Sequence, residues 1–175
     1  MHGTIPSEQD QRTLLKAGNY IDSRFHMLLQ EKVQDSPITL EMARRIKEKY
    51  AFVSSSKEVI SVDFQVDGKP KTYGVTNELR EACESLLPDL IESARELIVG
   101  FDPEFQNELR QNIVLAGGGS QIRGLAEEVR SNLTEVGTCR VSAIDDPIYA
   151  GATGALSLAV DMPESEWRRH ATSAS

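Results

Sequence analysis

No run of about 18 apolar residues occurs anywhere in the sequence, so no segment of it is suited to cross a bilayer as a helix. Met1-His2-Gly3 opens neither a signal peptide nor a lipidation signal, and the expectation is a cytosolic protein. Basic charge is also scarce. Nineteen Lys and Arg face 27 Asp and Glu, the net charge is −8, and no basic run breaks that balance. A surface that tracks nucleic-acid phosphates is therefore excluded. Cysteine is limited to Cys83 and Cys139, far apart, one in a helical and one in a strand pattern, which suits small buried groups rather than a disulfide or ligand set. His2, His26 and His170 share no metal-like spacing with them or with one another, so no metal site is expected. Internal repeats and low-complexity blocks are absent as well.

What is present describes an ordinary globular chain. With 26% charged and 39% hydrophobic residues over 175 positions, it can bury a real core in one or two small domains. The first residues, to about Gln11, are polar with a Pro-Ser turn, and residues 12–16 make a short candidate strand ending in Ala17-Gly18-Asn19. Ile21, Phe25, Leu28 and Leu29 then recur at helical spacing to about Val33, where residues 34–37 break the pattern. Thr39 is placed to cap a second helix with Glu41 in its first turn, Ala43, Ile46 and Tyr50 on one face, and Glu41, Arg44, Arg45, Glu48 and Lys49 on the other. From Lys57 the period changes to two: Ile60, Val62, Phe64 and Val66 alternate with polar residues, Asp67-Gly68 supplies a hairpin turn, and a second strand runs to about Val75.

A long helical stretch follows from Thr76 or Asn77, and Pro88 inside it predicts a kink or two abutting helices. Asp102-Pro103-Glu104 has the cap, first-position proline and first-turn acid of a further short helix. Next comes residues 112–116, mostly apolar, running into Gly117-Gly118-Gly119 and then into Ile122, Leu125, Val129 and Leu133 at helical spacing. Residues 140–144 alternate as a strand, Asp145-Asp146-Pro147 turns it, and residues 148–160 are rich in Ala and Gly, as suits a helix packed closely on a sheet. Residues 163–175 lose all periodicity and are expected to be mobile. The order describes a mixed α/β protein with a helical and hairpin insertion.

The glycine triplet is the passage best suited to a ligand. Glycine has no Cβ, so it accepts positive φ and lets another molecule approach the backbone, and a helix start beside it attracts polar or anionic groups. A tight connection that binds nothing fits an isolated Gly-Gly-Gly equally well. Two familiar nucleotide loops are excluded. Gly119 and Gly124 have the spacing of a phosphate loop, but Leu125 stands where its lysine belongs. Ile122 stands where a dinucleotide fingerprint needs its third glycine after Gly117 and Gly119. No nucleophile elbow or Ser, His and Asp set can be assembled, so no catalytic residue is assigned.

The string Asn112-Ile113-Val114-Leu115-Ala116-Gly117-Gly118-Gly119, followed by Ile122-Arg123-Gly124-Leu125, resembles the adenosine motif of the actin superfamily. Two further segments match in order: Ala17-Gly18-Asn19-Tyr20-Ile21-Asp22 resembles the turn near the ribose, and Ile46-Lys47-Glu48-Lys49-Tyr50 the segment that brings a lysine and a glutamate to sugar and purine. The passages 13–20, 87–93 and 111–125, with the ending Asp146-Pro147, Gly151, Gly154-Ala155-Leu156 and Trp167, resemble the MamK type of bacterial actin, from about Gly3 to Trp167.

The resemblance implies the second domain of the actin-like ATPase fold. Residues 1–18 and 76–162 would form a core subdomain incomplete at its N-terminus, 19–75 an inserted helix and hairpin subdomain, and 163–175 a tail. It further implies contacts to a nucleoside from Gly18, Lys47, Glu48, Gly117, Gly118, Gly119, Gln121 and Ile122. Without the resemblance, Lys47 and Glu48 read more simply as part of a solvated helix face. Family members bind ATP with Mg, but the two phosphate hairpins have no counterpart in these residues, so weak or no nucleotide binding and no efficient hydrolysis are expected of them alone. The implied function is a cytoplasmic cytoskeletal filament protein that helps align and position magnetosomes, self-associating or co-assembling with a full-length relative, with magnetosome-associated proteins as further partners, no nucleic acid and no membrane insertion. A non-polymerising modulator or cap, and a fragment of a superfamily ATPase or kinase, are the alternatives.

Overall fold

The computed structural model describes residues 10–54, 58–163 and 167. The expected N-terminal turn, His2, His170 and the tail, apart from Pro163 and Trp167, lie outside them. Helix α1 (Gly18–Lys32) presents Ile21, Phe25 and Leu29 to the core and lies against α2 (Leu40–Tyr50). Thr39 caps α2, its hydroxyl accepting from the Met42 amide at 3.2 Å, and Glu41 pairs with Arg45 at 3.2 Å one turn on. Strands β1 (Ser61–Val66) and β2 (Lys69–Gly74) pair antiparallel in a two-residue hairpin. Asp67 and Gly68 have φ of 51° and 75°, the double positive φ of a type I′ turn.

Pro88 resolves the long helical stretch into two abutting helices, α3 (Thr76–Glu84) and α4 (Leu87–Gly100). Helix α3 lies against α1, and the Thr76 hydroxyl accepts from the Ile60 amide at 2.7 Å, tying the hairpin to the helix that follows it. Helix α5 (Pro103–Gln111) leads into β3 (Ile113–Leu115), α6 (Leu125–Asn132) follows, and β4 (Val141–Ala143) pairs with β3 in parallel, Ile113 opposite Val141. Helix α7 (Ala150–Asp161) closes the order. One continuous apolar cluster runs from Ile21 and Phe25 through Phe64 and Leu79 to Val129 and Leu133.

Three expectations give way. Residues 12–16 form no strand: an extended segment needs a neighbouring strand to bond with, none pairs with it among the described residues, and Leu15 stands 97% exposed. The helix expected directly after the glycine triplet begins only at Leu125, because Gly118–Gln121 forms a 3₁₀ turn and Gly124, at φ 82°, reverses the chain before α6. Among the described residues helix α7 is not packed on a sheet; its small residues permit close approach, but none of its residues is buried, and Gly151 and Gly154 meet no atom within 4 Å where a Cβ would stand.

Candidate functional site

Three segments distant in sequence converge on one cavity of about 990 Å³, within the size range of small-molecule sites. The start of α1 contributes Lys16, Ala17, Gly18 and Ile21; the end of α2 contributes Lys47, Glu48 and Lys49; the glycine turn contributes Gly118, Gly119, Ser120, Gln121 and Ile122. Leu86, Leu90 and Leu125 add an apolar floor.

Backbone bonds hold the turn to α2. Arg123 donates its amide to the Ala51 carbonyl at 3.1 Å, and Val53 donates to the Arg123 carbonyl at 2.9 Å, a parallel bridge centred on Phe52. The Arg123 guanidinium reinforces it, donating to the Tyr50 carbonyl at 3.2 Å and to Glu58 at 2.6 Å. Within the turn, Gly117 takes φ 78° and donates to the Pro147 carbonyl at 2.8 Å, while its own carbonyl accepts from the Ser120 amide and hydroxyl at 3.1 and 2.8 Å. Gly118 and Gly119 leave the wall bare, because a Cβ on either meets nothing within 4 Å.

Opposite that wall, Lys47 Nζ lies 2.6 Å from Asp22 Oδ1 and 3.4 Å from the Gly18 carbonyl. Arg44 Nε donates to Asp22 Oδ2 at 2.9 Å, and that hydrogen bond, followed by the charge itself, raises the Arg44 pKa above its ordinary value. Lys16 is likewise raised, first by its hydrogen bond to Asp89 at 2.9 Å. The charged face of α2 is thus only partly solvated: Arg44 and Lys47 turn inward to Asp22, and Glu48 is exposed at the cavity rim.

Of the residues singled out in the sequence, Gly18, Lys47, Glu48, Gly118, Gly119, Gln121 and Ile122 line this cavity; Gly117 does not, its part being the reversal that places the next two glycines. Asp22 ends the segment that resembles the ribose turn, but sequence reasoning gave it no contact of its own. A signal was available, since Asp22, Phe25 and Leu29 share the i, i+3, i+7 stripe of α1 that faces the core, and an acid there requires a cation. Among the described residues, no group of three or more His, Cys, Asp or Glu is placed to hold a metal ion, and no helix is long and apolar enough to cross a membrane.

Comparison with known proteins gives consistent matches. A family model described as MreB/Mbl protein matches residues 9–166. The actin-like protein MamK of Paramagnetospirillum magneticum is 43% identical over 169 residues, which are 97% of this chain and 49% of that protein. Among solved structures, a MamK double helical filament superposes with a TM-score of 0.87 at 43% identity, covering 92% of this chain and 50% of that one. A non-polymerising MamK mutant bound to AMPPNP superposes with a TM-score of 0.85 at 43% identity, covering 91% of this chain and 49% of that one. The chain spans about half the length of the curated relatives it matches.

Proposed function

The chain belongs to the MreB/Mbl family and has an actin-like fold, and from that premise we propose that it is a MamK-like cytoskeletal filament protein whose cavity takes the nucleoside part of an adenine nucleotide. The convergence of the start of α1, the end of α2 and the glycine turn on one cavity carries this reading. Gly18, Gly118 and Gly119 let the nucleoside approach bare backbone, Lys47 and Glu48 meet the sugar and purine from α2, and Gln121 and Ile122 border the base. Gly117 acts indirectly, through its backbone reversal. ATP with Mg, when bound in such proteins, supplies the phosphoryl-transfer chemistry, which is positioning and charge neutralisation around the phosphates. The residues lining this cavity fit the nucleoside, and the family's two phosphate hairpins have no counterpart among these residues, so the 175-residue chain by itself is expected to bind nucleotide weakly and not to turn it over. In the cell we place it in the cytoplasm on magnetosome-associated filaments, self-associating or co-assembled with a longer MamK-type actin.

The test combines binding with sedimentation. Gly118→Leu fills open space in the cavity, so it should abolish nucleotide binding while changing stability by no more than about 0.5 kcal/mol. Unchanged binding by that folded variant refutes the cavity as the site. Pelleting with ATP, alone or together with a full-length MamK, marks a filament subunit. Reduced pelleting of the partner marks a cap instead.

A further inference from the structure

Asp22 is 1% exposed and is the one charged side chain buried among the described residues. Two cations from α2, Arg44 and Lys47, reach its two oxygens from one helical turn apart. They differ in what else they touch. Arg44 does not line the cavity, whereas Lys47, whose side chain is only 14% exposed, does. A buried carboxylate demands compensation, and Arg44 supplies a direct, charge-assisted hydrogen bond at 2.9 Å. The second cation is therefore held by Asp22 at a place where it also lines the cavity.

We propose that Asp22 is a positioning residue for the candidate site, an assignment that rests on the nucleoside reading of the cavity. Its carboxylate clamps Lys47 Nζ beside the Gly18 carbonyl and sets the direction in which the ammonium meets a ligand. An ammonium has three N–H donors; the Gly18 carbonyl takes one and Asp22 Oδ1 is met as an ion pair outside hydrogen-bond geometry, so donor capacity remains for the cavity. Paired with Asp22 and set beside the Gly18 carbonyl, Lys47 is a directed donor rather than a mobile cation, and on the nucleoside reading its acceptor is a hydroxyl of the sugar.

The experiment uses the full chain, adenosine as the probe, and lysine acylation read by mass spectrometry. In the wild type, Lys47 should acylate on the order of tenfold more slowly than the exposed Lys49 of the same helix. Asp22→Asn should remove that protection while leaving Lys49 unchanged, and should weaken adenosine binding by about tenfold in ligand-observed NMR. Asp22→Glu, which keeps the charge, should rescue part of both effects. Arg44→Met is the structural control: it removes the other partner of Asp22 and should leave Lys47 protected and adenosine affinity within about twofold. Equal losses in Arg44→Met and Asp22→Asn overturn the positioning role. So does a wild-type Lys47 as reactive as Lys49, which needs no variant and stands even where Asp22→Asn fails to fold. Protection of Lys47 without any adenosine binding refutes the nucleoside reading and leaves the clamp itself intact.

Discussion

At the scale of single residues, burial rather than chemistry governs the two cysteines. Cys83, on α3, is fully buried, and that burial pushes its thiol from an ordinary value of 9.0 up to about 11, against a smaller opposing effect from a backbone hydrogen bond at Phe52. The folded state thus keeps a proton that the unfolded chain has lost between pH 9 and about 11, so stability falls as pH rises through that window. The loss should be on the order of 2 kcal/mol, and Cys83→Ala should be free of it. Urea unfolding of both proteins at about pH 8 and pH 10.5 checks this, and parallel declines in the two would remove Cys83 as the cause. Such inert packing was legible in the sequence, where each cysteine sits in a regular pattern. The role of Asp22 was not, because its partners Arg44 and Lys47 lie on another helix and read locally as part of a solvated face.

At the scale of elements, whatever depends on neighbours in sequence was readable. The Asp67-Gly68 hairpin, the Thr39 cap and the division of the long helix at Pro88 each follow from local backbone preference and occur where expected. Residues 12–16 and α7 failed because strand pairing and helix docking need a partner that no local pattern can supply. The glycine segment lies between these cases. Its apolar entry strand was readable, but the delayed start of α6 depends on Gly124, which takes φ 82° with its missing Cβ only 3.1 Å from the Val53 carbonyl. A side chain there is strained by the backbone and crowded by the segment that bridges to Arg123. Gly124→Ala is expected to cost about 1–3 kcal/mol in urea unfolding. Gly119→Ala, in open space without positive φ, should stay within about 0.5 kcal/mol. If both substitutions cost the same, the junction into α6 is not what fixes the turn.

At the scale of the whole molecule, the two ends of the fold differ in how well they are covered. The group formed by α1, α2, the hairpin and α3 buries Phe25, Leu29, Phe64 and Leu79 completely, whereas α7 contributes no residue to the core. Leu156, Leu158 and Val160 on that helix are 64%, 71% and 75% exposed, and Ile148, Tyr149 and Val114 add further apolar surface. Parallel sheets are ordinarily covered on both faces, and β3 with β4 is not. The solved MamK chains that share this fold are about twice as long as the part matched. Apolar surface left open in this way favours contact between molecules. The 175-residue chain is therefore expected to associate as its concentration rises, with weight-average mass increasing over about a tenfold range in sedimentation velocity. Leu156 and Val160 lie four residues apart on one face of α7, and Leu156→Lys with Val160→Lys should suppress that association. Since neither side chain belongs to the core, the double variant should unfold within about 0.5 kcal/mol of the wild type. A double variant that stays folded yet associates as strongly as the wild type would place the adhesive surface elsewhere on the molecule.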